Sequence, residues 1–325
     1  MSVSVRSHSY FVHGRLIEST FPLSDLAASA SMLAHEGRDV SLLIEKRTLR
    51  DLPTATRHQW LVRSPSGTSI AVRGSQFLIE SYCGTRALID TDSRRLTVAR
   101  APSISTTRFN HTIMHTLIPY ALATQGDMIL HAACVQFGGK TILLCGEGGR
   151  GKSTLAAGFQ QRGALLLGED IVRVEVRNNR LVAFPSYAGA RLRSDSFLLE
   201  ARRHGRSGSA FGLPKYRMNF SPDTTQIAEP SVVDQVFFLA AGNRTAAQFA
   251  TVSGAGLMRE LLANGFVATA NSKAFRNEWF LALSSVLSSL DAAHLSYRKS
   301  PFHFQRLLDA IAARAGGELA PAVSQ

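Results

Sequence analysis

Residues 141–157 read TILLCGEGGRGKSTLAA. The apolar run 141–145 has the length and composition of a buried strand, and good helix formers follow from Lys152 onward. Between them stands Gly146-Glu147-Gly148-Gly149-Arg150-Gly151-Lys152-Ser153, which fits the pattern G-x-x-x-x-G-K-[ST]. Each residue type in that pattern has a physical task. Glycines let the backbone curl so that several N–H groups converge on phosphate oxygens. A helix opening near Lys152 adds the positive end of its dipole. The Lys152 ammonium reaches toward β- and γ-phosphates, and the Ser153 hydroxyl suits Mg²⁺. A strand before and a helix after are the context this motif needs. The expected ligand is therefore a nucleoside triphosphate held on Gly146, Glu147, Gly148, Gly149, Arg150, Gly151, Lys152, Ser153 and Thr154.

Working outward, the helix is expected over 152–161 and Gly163 ends it as a C-cap would. A strand at 164–167 then leads to Gly168-Glu169-Asp170. Two adjacent carboxylates at a strand end are costly unless they face metal or solvent. Glu169 and Asp170 are candidates for the metal and for orienting an acceptor, and a solvated turn is the plainer reading. Upstream, Ile113, Leu117, Ile118 and Leu122 stand at helical spacing within 108–125. A strand is expected over 128–137, followed by a Gly138-Gly139 turn. His131 falls in the middle of that strand, where a histidine is a core residue more often than a functional one.

The stretch LHAACVQFGGKTILLCGEGGRGKSTLAAGFQQRGALLLGEDIV, residues 130–172, resembles the catalytic domain of HPr kinase/phosphorylase and its relatives. Those proteins carry a strand-borne histidine, a strand, a P-loop, a helix ending in Arg-Gly and a strand closing on an acidic pair. The counterparts here are His131, the 146–153 loop, Arg162-Gly163 and Glu169-Asp170. The closer similarity is to the related proteins that include lasso-peptide precursor kinases, and it covers about 128–172. The resemblance implies an α/β fold with a P-loop kinase core of the HPr kinase and phosphoenolpyruvate carboxykinase kind. It implies transfer of the γ-phosphoryl of ATP to a serine hydroxyl of a peptide or protein, with Mg²⁺. It implies catalytic roles for Asp170, Glu169, His131 and Lys152, metal contacts from Ser153, Glu169 and Asp170, and a possible homo-oligomer. Two positions depart from the pattern. Glu169 stands where relatives carry Asp, and Arg150 stands where they carry a small or apolar residue.

The rest of the chain is read more coarsely. Residues 1–107 form a β-rich region, with strands expected over 10–18, 40–45, 58–62, 69–72 and 76–82. A turn is expected at Ser64-Pro65-Ser66-Gly67, and a helix over 23–36 capped by Ser24 or Asp25. A catalytic domain is expected over 108–315 and a frayed tail over 316–325. Past the acidic pair, Asn178-Asn179 reads as a tight turn between strands at 171–176 and 181–184. The segment 189–219 reads as a basic loop, made mobile by Gly205, Gly208, Gly212 and Pro214. It offers Arg191, Arg193, Lys215 and Arg217 as substrate or phosphate contacts, or simply as solvated charges. A strand at 235–240, helices at 255–264 and 273–289, a strand at 295–298 and a helix at 302–313 complete the chain.

Composition bounds the function classes. In 325 residues, 45% are hydrophobic and 18% charged, an ordinary globular balance. The net charge of +12 suits an anionic partner. The charge is dispersed, without a Lys/Arg block or basic run interleaved with aromatics, which disfavours nucleic acid. Cys83, Cys134 and Cys145 are odd in number and lack CxxC spacing, so they read as buried thiols rather than disulfides or zinc ligands. Apolar runs are strand-sized, well short of the ~18 residues a membrane span needs. The polar N-terminus lacks a signal-peptide core, which points to the cytoplasm. Three other functions fit the motif: a kinase for a small hydroxylated metabolite, a nucleotide-binding regulatory module without transfer activity, and an ATP-driven nucleic-acid protein.

Overall fold

The computed structural model describes residues 7–23, 39–54, 60–63, 67–186, 190–193, 206–207, 215–218, 229–266 and 273–321. They form a mixed α/β protein with several sheets. The chain divides into two compact units, Met1–Asp127 with Val267–Lys273, and Met128–Phe266 with Ala274–Gln325. The expected boundary at 107/108 thus falls inside the first unit, and residues 108–127 belong with the β-rich part. No described helix is long and apolar enough to cross a membrane.

The first unit is built on β1 (His8–Val12), β2 (Arg15–Ser19), β3 (Val40–Arg47), β4 (Trp60–Arg63), β5 (Ser69–Arg73), β6 (Gln76–Glu80), β7 (Arg86–Asp90) and β8 (Arg95–Ala99). They make one eight-stranded sheet in the order β1-β2-β3-β8-β7-β6-β5-β4. The single strand expected over 10–18 is a hairpin, because His13 and Gly14 turn the chain at φ 57° and 67°. β4 and β5 pair antiparallel, as the turn signal between them suggested, although Ser64, Pro65 and Ser66 lie outside the described residues. The helix expected over 23–36 also lies outside them, except for Leu23. The unit ends in α1 (Thr106–Thr112), a π-helical turn (Ile113–Leu117) and α2 (Ile118–Thr124). This helical stretch begins where the Arg108 N–H donates to Ser105 Oγ at 3.2 Å.

The second unit runs β9 (Met128–Leu130), β10 (Ala132–Phe137), β11 (Lys140–Cys145), α3 (Lys152–Gln161), β12 (Leu165–Gly168), β13 (Val172–Arg177), β14 (Arg180–Phe184), β15 (Ala190–Arg193), β16 (Arg206–Ser207) and β17 (Lys215–Met218). It continues through β18 (Ser231–Val232), β19 (Gln235–Ala241), β20 (Gln248–Thr251), α4 (Gly254–Ala263), α5 (Lys273–Ser284), β21 (Asp291–Tyr297) and α6 (Phe304–Arg314). Its main sheet has the order β12-β10-β11-β19-β21-β20, with β11, β19 and β21 parallel. A second sheet, β18-β14-β13-β9, contains the Asn178-Asn179 hairpin, whose turn residues sit at φ 51° and 57°. Asparagine tolerates that left-handed backbone, which makes the turn readable in sequence.

Two expectations are corrected in this unit. The strand over 128–137 is not continuous. β9 joins the second sheet and β10 the main one, so the chain changes sheets at His131. The Phe266 N–H donates to the Ile129 carbonyl and the His131 N–H to the Asn264 carbonyl, both at 2.7 Å, and these bonds fix the break. The segment 189–219 is not simply a loop, because a third sheet, β15-β17-β16, lies within it. At the chain's end, Arg162 donates to the Ala320 carbonyl at 2.7 Å and pairs with Asp309. Residues 322–325 of the tail lie outside the described residues.

The core of the second unit packs α3 and α6 against one face of the main sheet. Phe159 of α3 is fully buried and stacks on Phe137 of β10 at 5.0 Å between centroids. Burying such a ring contributes roughly 1.5–3 kcal/mol. Gly158 lets the two helices approach, since a Cβ there would stand 2.5 Å from the Phe304 ring. Core packing therefore fixes the helix that opens at Lys152.

Candidate functional site

β10 runs antiparallel to both of its main-sheet neighbours. Its residue Ala132 pairs with Cys145 of β11, and Cys134 pairs with Gly168 of β12. His131, at the entry to β10, thus comes level with Gly146 at the exit of β11 and with the Glu169-Asp170 pair past the exit of β12. The loop, the histidine and the acidic pair meet at one end of the sheet. That end also carries the carboxyl ends of the parallel strands β11, β19 and β21, where α/β sheets hold their ligands.

The 146–153 loop takes the curled form that its glycines permit. Gly146, Gly149 and Gly151 have φ of 143°, 81° and 107°. A Cβ on Gly146 would come within 3.1 Å of the Leu239 carbonyl, and one on Gly151 would fall on the Tyr297 hydroxyl. α3 opens directly behind, where the Leu155 N–H donates to the Gly151 carbonyl at 2.9 Å. No side chain caps it, and the N–H groups of a helix's first turn suit an anionic acceptor. Lys152 is buried and its ammonium folds back on the Gly146 and Glu147 carbonyls, at 2.5 and 3.3 Å. Ser153 and Thr154, in the first turn, are half-buried. Arg150 pairs with the exposed Glu147 carboxylate at 2.7 Å, which explains how an arginine is accommodated there.

The acidic pair is asymmetric. Glu169 is buried, with 1% of its surface exposed, whereas the Asp170 side chain is 24% exposed. Asp170 has φ 71° and is the centre of a three-residue turn closed by the Ile171 N–H on the Glu169 carbonyl at 2.8 Å. A γ-turn of this hand is rare and strained, and such outliers gather at functional sites. The Asp170 carboxylate approaches His131 Nε2 at 3.4 Å. Behind it, the close contact of Gly168 with Ser186 and Val172 leaves no space for a larger residue.

Other residues at this end carry no sequence signal. Tyr297, at the end of β21, donates its hydroxyl to the Arg150 carbonyl at 2.9 Å, and Lys299 donates to the Gly149 carbonyl. Both brace the loop through its carbonyls. A cavity of about 400 Å³ lies beside the loop, with Ala240, Ala241, Gly242 and Lys299 in its lining. Glu260 of α4 lies 3.6 Å from His294 Nε2. Burial pushes the Cys145 thiol up to about 12, with Lys152 opposing that rise and Glu260 adding to it, so both charges lie near the exit of β11. Only their convergence in space distinguishes these side chains, since their positions fit no motif. Of the four basic candidates, Arg191 and Arg193 lie on β15 and Lys215 and Arg217 on β17, in a separate three-stranded sheet.

The donor set suits magnesium bound with a nucleotide. Among the described residues no three His, Cys, Asp or Glu side chains gather into a metal cage. Magnesium keeps most of its waters and takes one or two protein oxygens plus phosphates, which one hydroxyl and one carboxylate can supply.

No family model matches the chain, and no curated protein does. Among solved structures it is similar to the HPr(Ser) kinase/phosphatase from Coxiella burnetii. The identity is 14%, over 58% of this chain and 89% of that one, and the TM-score is 0.32. A likeness this slight carries no weight for the chemistry, which rests on the residues themselves.

Proposed function

We propose that the chain is an ATP-dependent kinase that transfers the γ-phosphoryl group to a serine hydroxyl of a peptide or protein. The observation that carries the proposal is the strained Asp170 turn against His131, level with the glycine loop at one end of the sheet. A strained carboxylate beside a phosphate-binding loop is an arrangement for accepting a proton next to a γ-phosphate.

On this reading each residue has a role. The N–H groups of the 146–154 segment and the start of α3 hold the phosphates. Lys152 exchanges its loop carbonyls for β- and γ-phosphate oxygens. Ser153 and Glu169 would hold Mg²⁺, which neutralises phosphate charge when bound. Asp170 accepts the proton of the serine hydroxyl as its oxygen bonds to the γ-phosphorus and the bond to the β-phosphate oxygen breaks. ADP leaves, and the proton passes from Asp170 to solvent. His131, 3.4 Å away, holds the Asp170 carboxylate in place. Positioning and charge neutralisation account for most of the rate in such transfers.

Two variants separate binding from chemistry. Lys152→Met should weaken Mg·ATP binding by tenfold or more, about 1.4 kcal/mol, measured by calorimetry. Asp170→Asn should leave that affinity within about threefold while turnover falls about a thousandfold. Equal loss of ATP affinity in both variants, with the fold intact, would refute the role given to Asp170.

A further inference from the structure

A third carboxylate stands at the ligand end of the main sheet, and the transfer steps leave it without a task. Glu260 sits in the last turn of α4, with 24% of its side chain exposed. Its carboxylate lies 3.6 Å from His294 Nε2 of β21. His294 pairs in register with Phe238 of β19, and Phe238 with Cys145 of β11, so the three side chains share one face of the sheet. Their chain neighbours Leu144, Phe237 and Ala293 pack on the other face, with α3 and α6. Glu260 therefore reaches the sheet end from the face opposite those helices. The last turn of α4 is also tied to the histidine of the site. The Asn264 N–H donates to the Glu260 carbonyl at 3.1 Å, and the Asn264 carbonyl accepts from the His131 N–H at 2.7 Å.

That placement is costly for a carboxylate by itself. The last turn of a helix carries the negative end of its dipole, and a partly buried charge is disfavoured unless it is paired. Among the described residues no Lys or Arg pairs with Glu260, and His294 is charged only when protonated. The phosphate site is close by. After burial, the Cys145 thiol responds to Lys152 and then to Glu260, so ammonium and carboxylate stand near the same residue, the last before the glycine loop. A carboxylate near bound phosphates repels them unless a cation stands between. Mg²⁺ is such a cation, and it keeps several waters while taking few protein oxygens directly. No three His, Cys, Asp or Glu side chains gather among the described residues, so Glu260 and the acidic pair form no common cage. Contact through the ion's waters suits that spacing. We propose that Glu260 is a positioning residue for the nucleotide's Mg²⁺, holding the ion's waters while His294 holds the carboxylate. The inference rests on the nucleotide-binding part of the reading above, and on neither the acceptor nor the transfer step.

The test measures ATP affinity of the full chain by calorimetry, once with Mg²⁺ and once with EDTA. Glu260→Gln keeps the side chain's shape and removes its charge. It should weaken Mg·ATP binding about tenfold, as loss of a group that orients a metal's ligands does. Metal-free ATP should bind as well or about threefold more tightly, because a repulsive charge is gone. The two changes have opposite signs, which damage to packing would not produce. Titration of Mn²⁺ into protein with ATP, followed by electron paramagnetic resonance, should show the same loss of about tenfold in metal affinity. His294→Gln alters a side chain that is 41% exposed and should reduce the Mg²⁺ advantage in the same direction by less. Glu260→Asp should keep part of that advantage. An undiminished Mg²⁺ advantage in both Gln variants overturns the proposal. So does an equal loss of affinity with and without the metal. A parent protein that binds ATP no better with Mg²⁺ than with EDTA also overturns it. A parent that binds ATP under neither condition removes the nucleotide reading itself.

Discussion

Asp170 is the residue on which the proposed mechanism turns, and its backbone gives an independent check. A non-glycine residue held at φ 71° carries roughly 1–3 kcal/mol of strain. Asp170→Gly relieves that strain, and glycine's extra unfolded-state freedom offsets part of the gain. The expected result is a melting temperature at or above that of the parent protein, with transfer abolished. A clear drop in melting temperature would mean that the carboxylate holds the fold rather than the reaction. The curl of the 146–151 loop was legible because its glycines answer a local demand, positive φ at Gly146, Gly149 and Gly151. Asp170 was legible as a carboxylate and not as a strained one, since its positive φ belongs to the folded backbone, where the Ile171 N–H closes on the Glu169 carbonyl. Tyr297, Lys299 and Glu260 were not legible at all.

At the scale of elements, β21 supports the loop although it lies about 150 residues away in sequence. Its Tyr297 hydroxyl holds the Arg150 carbonyl at 2.9 Å, and burial raises that hydroxyl's pKa. Tyr297→Phe removes one hydrogen bond, worth about 1 kcal/mol, without altering the packed ring. Calorimetry should show about fivefold weaker Mg·ATP binding and a KM raised more than kcat is lowered. Unchanged affinity would show that the loop keeps its form without the brace. Element existence was legible wherever the periodicity was strong, as in α3, α6 and β19. The break at His131 was not, because 128–137 is an almost unbroken apolar run without glycine or proline. What breaks it is pairing to Gly265 and Asn264, partners more than 130 residues away in sequence. The β1–β2 turn was missed for the opposite reason, since His13 takes a conformation usually left to Gly or Asn.

The whole molecule should be sensitive to alkali. Burial lifts the Cys145 thiol from 9.0 to about 12 and lifts Cys134 further. A thiol raised on folding is neutral in both states below pH 9, where its stabilising effect is complete. Between pH 9 and 12 the unfolded chain ionises first, so stability falls as pH rises. Urea midpoints should hold up to about pH 9 and then decline, and Cys134 and Cys145 should resist thiol reagents until the protein unfolds. Rapid native labelling of both would contradict their burial. Composition indicated the buried thiols. It did not indicate that the basic segment holds a three-stranded ladder, which is a consequence of register.

The most direct measurement is incubation with γ-labelled ATP, Mg²⁺ and candidate acceptor peptides, beginning with those encoded beside the gene. The account predicts label on a peptide serine with the parent protein and none with Asp170→Asn, although both bind ATP. ATP binding with no label on any peptide, metabolite or water, from a folded protein, would contradict it and leave a nucleotide-binding module.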